Sequence, residues 1–250
     1  MKLRIYTVGH KALPENFTLP ENYYYFKVGA KDCKADFYDD SEINIHEKNP
    51  YYCELTAYYW IWKNDKDSDV VGLAHYRRYF SKSYFFNPKN FYNTKQIEKD
   101  LRNHDIITTK LFKIYGNCFT NRVEFCHEED VKKLRESMKR IHPDYLKTYD
   151  EVMAGNRTFL LNMFIAKKEV FDNYAKWLFD LFDDLEKYIH PENYEGNYKR
   201  VFGYLSETLL TVYVFHNHLK YKCVRVNVTD KTFWQRVRNK LRKIILRKNQ

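Results

Sequence analysis

The stretch DVVGLAHYRR, residues 69–78, decides the fold class of this chain. Residues 70–74 form a continuous apolar run with the length of a buried β-strand. The run ends abruptly in residues 75–78, which are a histidine, a tyrosine and two arginines. Before it, residues 49–64 carry the signals of an α-helix: a capping asparagine, a proline in the first turn and apolar residues at helical spacing. A helix that leads into a buried strand with a charged end is typical of an α/β fold.

The same two patterns recur along the rest of the chain. Short apolar runs predict further strands, at 3–8, 105–109, 160–166 and 221–228. Amphipathic or apolar segments predict further helices, at 93–102, 128–140, 145–153, 169–189 and 200–216. Because no internal repeat and no rich linker divides the sequence, a single α/β domain is expected.

Cationic side chains follow three of the predicted strands. His10 and Lys11 come after the strand at 3–8, residues 75–78 after the next, and Lys110 after the strand at 105–109. Ligands of open α/β sheets bind at the carboxyl ends of the strands, and buried cations are costly unless they meet an anion. The sequence therefore predicts an anionic ligand such as a diphosphate. The alternative is a solvated turn in which the two arginines pair with nearby acids.

Composition narrows the class of protein. The net charge is +10, but residues 231–250 contain eight basic residues and no acid, so most of the excess lies outside the main body. The chain has 7 glycines and no glycine-rich phosphate loop, which argues against Rossmann and P-loop sites. Aromatic residues make up 18%, and their rings either stack on sugars or simply fill the core.

Cysteine usage and hydropathy predict a cytosolic protein. The five cysteines are odd in number and lack a CxxC spacing, which favours reduced thiols over disulfides or a zinc site. The first residues lack a signal-peptide core, and no stretch approaches the ~18 apolar residues of a membrane span. Any membrane contact is therefore expected to be peripheral.

Four blocks of the sequence resemble one protein family. They are EKNPYYCELTAYYWIWKN at 47–64, VGLAHYRRYF at 71–80, NMFIAKK at 162–168 and RVFGYLSE at 200–207. Together they are similar to the DUF4422 family of capsular polysaccharide and lipopolysaccharide biosynthesis glycosyltransferases. The resemblance implies a GT-A-like nucleotide-sugar transferase domain, with a central mixed, mostly parallel sheet flanked by helices. It also implies a UDP-sugar donor, for which UDP-galactofuranose is one candidate.

GT-A enzymes usually place a DxD motif at the end of a central strand, where a divalent metal bridges the donor diphosphate. In this chain, DxD motifs at 65–67 and 67–69 precede the strand at 70–74 and so lie at its wrong end. Residues 75–77 stand where the motif belongs. This departure predicts a metal-independent site that requires no cofactor, although oxygen ligands could still recruit Mg²⁺ or Mn²⁺.

Cationic side chains would then neutralise the leaving diphosphate. Arginine suits this role because its guanidinium grips phosphate oxygens in a bidentate way. The residues expected at the donor diphosphate are His75, Arg77, Arg78 and Lys48. The nucleotide is expected near His10 and Lys11.

Inversion at the anomeric carbon, which the resemblance implies, needs a general base for the acceptor hydroxyl. Glu207 is the first choice, because it lies on an otherwise apolar helix; the alternatives are an exposed position or a structural salt bridge. Glu54 is the second, although an acid in a first helical turn usually serves the helix dipole. Asn162 is expected to hydrogen-bond the sugar or to be a turn residue, and Tyr76 is also expected at the sugar or acceptor.

Residues 230–250 are predicted to form a basic amphipathic helix that follows the transferase domain at 1–229. Aromatic and aliphatic residues fall on one helical face, and arginines and lysines occupy the rest. The pattern is typical of a helix in a membrane interface; packing on the body and RNA binding are the alternatives. The protein is therefore expected in the cytoplasm, peripheral on the inner face of the cell membrane through residues 231–250, with no nucleic-acid partner.

These inferences predict a glycosyltransferase, specifically a hexosyltransferase, that moves a sugar from a UDP-sugar to a lipid-linked saccharide in capsule or O-antigen biosynthesis. The rival from another class is a non-catalytic basic module that binds membrane or nucleic acid. A sugar-phosphate transferase, which releases UMP instead of UDP, is a rival enzyme.

Overall fold

The computed structural model describes residues 1–15, 17–83 and 90–229, which form a mixed α/β fold. Its strands are β1 (Leu3–Gly9), β2 (Tyr23–Lys27), β3 (Phe37–Tyr38), β4 (Val70–His75), β5 (Arg78–Ser81), β6 (Ile106–Thr108), β7 (Phe112–Lys113), β8 (Arg157–Thr158), β9 (Phe164–Lys167), β10 (Tyr221–Cys223) and β11 (Arg225–Val228). Its helices are α1 (Asn49–Tyr52), α2 (Leu55–Asn64), α3 (Thr94–Leu101), α4 (Cys118–Val123), α5 (Glu128–Ile141), α6 (Leu146–Ala154), α7 (Lys168–Leu185) and α8 (Val201–His216).

The described part of the chain has one large sheet, of nine strands, at its centre. Seven of them follow in the order β10-β6-β9-β4-β1-β2-β3, while β5 pairs with β4 and β11 with β5. β7 and β8 form a separate two-stranded pair. In the large sheet, β5 and β9 run antiparallel to the other strands. The sheet is therefore mixed but mostly parallel, as the sequence predicts.

Parallel pairing brings the ends of several strands to one edge of the sheet. β1 pairs with β2 on one side and with β4 on the other, both in parallel. Gly9, Lys27 and His75 consequently lie at the same edge, which we call the carboxyl edge. Because β9 is antiparallel to β4, the turn before β9 reaches this edge as well.

Alternating apolar side chains fill a core on each face of the sheet. Along β1, Tyr6 and Val8 belong to the core that includes α2, α7 and α8, whereas Leu3 and Ile5 belong to the core that includes α3. Each large apolar side chain that is fully buried contributes about 1.5–3 kcal/mol. Strands buried on both faces appear in sequence as continuous apolar runs, which explains the clear signal of residues 70–74.

The predicted fold class is confirmed, but two element boundaries differ for a local reason. The helix predicted over 49–64 is divided into α1 and α2 by Cys53, whose φ of 54° leaves the helical path. The strand predicted from residue 160 begins at Phe164, because Leu161 and Asn162 have φ values of 79° and 48°. Left-handed φ is incompatible with both helix and strand.

The last described segment also differs from its prediction. Residues 221–228 form two strands, since β10 pairs with β6 whereas β11 pairs with β5. Beyond β11, the amide of Thr229 donates to the carbonyl of Arg77 at 3.0 Å. The basic helix predicted at 230–250 lies outside the described residues, so the predicted division between residues 229 and 230 stays a prediction. None of the described helices is long and apolar enough to traverse a bilayer.

Candidate functional site

A cavity of about 600 Å³ opens at the carboxyl edge, where β1 and β4 end. Six parts of the chain build its walls: the ends of β1, β2 and β4, the segment from α1 to α2, the turn before β9, and the first turns of α8. Arginines, histidines and glutamates are among the side chains that line it. We call it the edge cavity. Its position is the one at which open α/β sheets bind ligands.

β1 and β4 approach each other closely where they enter the cavity. The amide of Tyr76 donates to the carbonyl of Val8 at 2.9 Å, which extends the pairing beyond β4. A Cβ atom on residue 9 would lie 2.7 Å from the Cβ of Tyr76, so only glycine fits there. The rings of His10 and Tyr76 meet edge to face, with their centroids 5.4 Å apart. The two strand ends thus form one continuous wall.

Positive charge dominates the edge cavity. The guanidinium of Arg77 lies 4.9 Å from the centre of the Tyr76 ring, and Arg78 begins β5 beside it. Arg200, which precedes α8, donates from Nε to the sulfur of Cys53 at 3.1 Å. Three arginines thus face two glutamates in the lining. This balance favours an anionic ligand.

The pKa of His10 reflects this positive potential. Partial removal of the ring from solvent lowers the pKa, and the charges of Lys11, Arg77 and Arg200 lower it further. The imidazole is therefore neutral at pH 7 and can take part in hydrogen bonds without adding charge. The positive charge of the cavity therefore comes from the guanidinium groups of its arginines.

The turn before β9 is held in a strained conformation from several sides. Left-handed φ costs about 1–3 kcal/mol at a residue such as Leu161. His75 Nε2 donates to the carbonyl of Leu161 at 2.6 Å. Asn162, 4% exposed, donates from Nδ2 to Glu54 Oε1 at 2.9 Å and to Ser206 Oγ at 2.8 Å. These bonds fix the wall of the cavity and offset its backbone strain.

Two carboxylates enter the cavity from different helices. Glu54 stands at the start of α2, and Glu207 projects from α8. Arg122 donates from Nη1 to Glu207 Oε2 at 3.0 Å. Arg122 is only 2% exposed and also binds the carbonyl of Tyr204, at 2.6 Å, and the side chain of Asn121, at 2.8 Å. Glu207 therefore forms a salt bridge with Arg122, which is one of the alternatives predicted from the sequence. It also lines the cavity.

Cys53 lies near both carboxylates. Burial, followed by the charge of Glu54, raises the pKa of its thiol to about 11; Arg200 opposes this shift and Glu207 adds to it. A thiol with such a pKa is protonated at neutral pH and is a poor nucleophile. Cys53 therefore shapes the cavity through its unusual backbone and its contact with Arg200, and not through reactivity.

The structure brings most of the predicted site residues together. Those that line the edge cavity are His10, Glu54, His75, Tyr76, Arg77, Arg78 and Glu207. Asn162 lies behind this surface, bonded to Glu54. Lys48 and Lys11 are not among the lining residues. The ammonium of Lys48 pairs with Glu186 at 2.7 Å. Lys11 is exposed and acts on the cavity through its charge, which lowers the pKa of His10.

Two arginines of the site were not singled out from the sequence. Arg200 stands immediately before α8, where a positive charge opposes the helix dipole. An arginine in so unfavourable a position is a sequence signal of a binding residue. Arg122 lies on the short helix α4, and its partner Glu207 is 85 positions away in sequence. Only the folded chain reveals that pair.

The aspartates at 65–69 lie at the opposite edge of the sheet, before β4. Asp65 is buried and accepts hydrogen bonds from Arg4 and Tyr6, while its neighbours pair with the first residues of the chain. They therefore serve the packing of β1 against β4. In the described ranges, no cluster of three or more His, Cys, Asp or Glu side chains is arranged to hold a metal ion.

The fold and the edge cavity define an α/β domain with a cationic pocket at the carboxyl edge of its sheet. This chain belongs to the DUF4422 family: the model of that domain of unknown function matches residues 4–218. The family predicted from the four sequence blocks is confirmed.

A solved structure with the same fold is the apo structure of WbbM, a bifunctional glycosyltransferase. The TM-score is 0.83 and 29% of the residues are identical, with 92% of this chain covered. The match covers 46% of the WbbM chain, so this chain spans about half the length of that protein. No curated protein sequence is significantly similar to this chain.

Proposed function

We propose that this protein is a glycosyltransferase that moves a hexosyl group from a UDP-sugar to a saccharide acceptor. The observation that carries the proposal is the arginine-lined edge cavity, in a fold shared with a glycosyltransferase at 29% identity. A nucleoside diphosphate is an anion whose oxygens match guanidinium groups in charge and geometry.

The donor diphosphate is proposed to bind Arg77 and Arg78, with Arg200 as a third cation. These groups would stabilise the charge that develops on the departing UDP, so the reaction is proposed to proceed without a divalent metal. His75, tied to the turn before β9, would fix the strand end from which the arginines project. The neutral ring of His10, at the end of β1, would lie beside the nucleotide.

Glu207 is proposed as the general base of an inverting transfer. The acceptor oxygen would attack the anomeric carbon, its proton would pass to the carboxylate, and the bond from that carbon to the UDP oxygen would break. With Oε2 held by Arg122, Oε1 is the oxygen that would take the proton. Glu54 is the second candidate, although its Oε1 already accepts from Asn162.

The proposed setting is the assembly of a capsule or O-antigen polysaccharide, which the sequence resemblance suggests. The acceptor would be a lipid-linked saccharide, and UDP-galactofuranose is the first donor to test. The basic residues 231–250 would bring the enzyme to the inner face of the membrane, where such intermediates are exposed.

A panel of UDP-sugars assayed for UDP release, with and without EDTA, tests donor and metal dependence together. The expected result is release from one donor at a rate that EDTA leaves unchanged. Arg77→Ala and Arg78→Ala are each expected to lower kcat/KM by about 10²-fold, because each removes a charged contact to the leaving group.

Arg102→Ala is the matched control, because Arg102 is an exposed arginine near the start of β4, at the other edge of the sheet. Full activity in the Arg77 and Arg78 variants would show that the donor binds elsewhere. If no donor yields UDP, the chain is better described as a non-catalytic binding module. Release of UMP would instead identify a sugar-phosphate transferase.

A further inference from the structure

Aromatic rings from two chain segments adjoin the edge cavity. One segment follows α4, and the other leads into α8 and includes its first turn. The rings of Phe125 and Tyr204 lie 5.2 Å apart, and the ring of His127 stacks on that of Tyr198 at 4.4 Å. We call these four residues the aromatic ledge. Each of its two ring pairs joins one segment to the other.

The aromatic ledge is exposed but firmly supported. Phe125 and Tyr198 are each 39% exposed, and His127 is exposed as well. Large rings are mostly buried in folded proteins, and neighbouring exposed ones rimmed by polar groups mark binding surfaces. Tyr194 contacts His127 edge to face at 4.7 Å and donates its hydroxyl to Asp130 at 2.6 Å. The rings are therefore presented in a fixed arrangement.

The aromatic ledge is joined to the proposed general base. Tyr204 belongs both to the ledge and to the lining of the edge cavity. Arg122, which holds Glu207, lies 5.5 Å from the centre of the Phe125 ring. A ligand that rests on the ledge would consequently extend toward the Glu207 carboxylate.

The chemistry of the ledge suits a saccharide. The face of an aromatic ring carries partial negative charge, which attracts the polarised C–H groups on one face of a sugar ring. A diphosphate gains nothing from such a surface and is expected at Arg77 and Arg78 instead. The acceptor must also contact the group that takes its proton. Of the two carboxylates that line the edge cavity, Glu207 is the one joined to the ledge through Arg122.

We propose that the aromatic ledge is the acceptor subsite, on which acceptor sugars stack against Phe125 and Tyr198 while the reactive hydroxyl reaches Glu207. This inference rests on the proposed function and assigns the acceptor to residues that do not contact the donor. With one sugar on each ring pair, a disaccharide is expected to bind more tightly than a monosaccharide.

Saturation-transfer NMR tests the assignment, with methyl β-D-galactopyranoside and methyl β-lactoside as probes and UDP present. The wild-type protein is expected to transfer saturation to the C–H protons of both probes and to bind the lactoside more tightly. Phe125→Ala and Tyr198→Ala are each expected to weaken lactoside binding by about three- to tenfold. The Kd for UDP, measured by calorimetry, should change by less than about twofold in both variants.

Tyr188→Ala is the matched control, because Tyr188 is 43% exposed and also lies over a guanidinium, that of Arg140 at 4.5 Å, but does not line the cavity. Phe125→Trp keeps a ring face and should retain binding, whereas Phe125→Leu keeps only apolar bulk and should not. The Tm of each variant shows whether it is folded.

Three results would overturn the acceptor subsite: lactoside binding that the ledge variants leave unchanged, an equal loss in Tyr188→Ala, or no transfer to either probe in the wild-type protein. UDP binding separates this failure from that of the proposed function. A wild-type protein that does not bind UDP refutes the function itself. Normal UDP binding, with ledge variants that behave as wild type, refutes only the ledge.

Discussion

At the scale of single residues, the environment of Arg122 is the most demanding in the site. Its guanidinium is buried, and its Nη atoms bind Glu207, Tyr204 and Asn121. Its Nε has no hydrogen-bond partner among the described residues. Buried charges are costly unless they are paired and fully hydrogen-bonded. The buried guanidinium of Arg122 therefore contributes little to the stability of the fold. Its bond to Glu207 holds one carboxylate oxygen in place.

His10 offers a direct test of the electrostatics of the cavity. Partial burial and the charges of Lys11, Arg77 and Arg200 hold its pKa below the ordinary 6.5. A bound diphosphate would offset those positive charges and make protonation of the ring less costly, so UDP is expected to raise the pKa of His10. Titration of the His10 ring protons by NMR, in the free and the UDP-bound protein, measures both values.

Signals of the exposed His190, which does not line the cavity, should not respond to UDP and provide the internal control. A pKa of His10 at or above 6.5 in the free protein would disprove the inferred potential. A pKa that saturating UDP leaves unchanged would place the diphosphate away from the end of β1.

At the scale of secondary-structure elements, the site depends on where helices begin and break. The break at Cys53 places Glu54 at the start of α2, facing the cavity. Around the start of α8, Arg200, Tyr204 and Glu207 follow at helical spacing, which puts all three on one face. Helix α4 contributes to the site through the buried side chain of Arg122. Small changes at these helix ends are therefore expected to affect the proposed activity as well as stability.

Two helices with the same type of cap allow this expectation to be tested. Asn93 caps α3 and Asn117 caps α4, each in a reciprocal capping box with the residue three positions later. Replacement of either asparagine by alanine is expected to cost about 1 kcal/mol of unfolding free energy. Because α4 carries Arg122, only Asn117→Ala is expected also to lower kcat, by about threefold or more, as Glu207 loses its fixed orientation.

Urea unfolding gives the stability of each variant, and the UDP-release assay gives its kcat. Asn93→Ala is the matched control, since α3 packs on the other core of the sheet. Equal kcat values in the two variants would show that the orientation of Glu207 does not depend on α4.

At the scale of the whole molecule, the residues that stabilise the fold and those proposed to bind and react with the substrates lie in different parts of the sheet. Two cores lie on its faces, while the edge cavity occupies one end. The aspartates at the other end bind Arg4 of β1 and Lys2 just before it, and they do not line the cavity. The match covers 92% of this chain and 46% of the WbbM chain, so a similar unit forms part of a larger protein.

The basic segment at 231–250 is predicted to act separately from this unit. Each lysine or arginine near an anionic bilayer contributes about 1 kcal/mol to association, and the segment contains eight of them. Deletion of residues 231–250 is therefore expected to abolish sedimentation with phosphatidylglycerol vesicles and to leave the Kd for UDP unchanged. Vesicles of neutral phosphatidylcholine are the control, and equal sedimentation of the full and shortened chains would disprove the membrane role.

Much of this architecture could be predicted from the sequence because local signals agree with the fold. The apolar run at 70–74 identified β4, and the cations after it identified the edge of the sheet that holds the cavity. The acid on an apolar helix pointed to Glu207, which does line the cavity, while its role as general base stays a prediction. In each case a few neighbouring residues are enough for the prediction. An apolar run matches a buried strand, whereas cations at a strand end or an acid on an apolar helix stand out from their neighbours.

Features that depend on distant partners could not be predicted in this way. The strained turn at Leu161 and Asn162 is fixed by bonds to His75, Glu54 and Ser206, which lie in other segments. Lys48 was expected at the diphosphate on charge alone, but Glu186, 138 positions away, takes up that charge. Tertiary contacts decide these conformations, and single-sequence patterns do not contain them.

The hydrogen bond from Thr229 to Arg77 has a mechanical consequence. β11 lies against β5, and Arg78 is paired in register with Val228, so the chain leaves the described fold while still fastened to both arginines of the cavity. Thr229 is the last residue before the segment 230–250, so its bond to Arg77 and the pairing of β11 with β5 anchor the chain at the point where that segment begins. A pull on residues 230–250 would be resisted at this anchor, which agrees with a segment that acts separately from the folded unit.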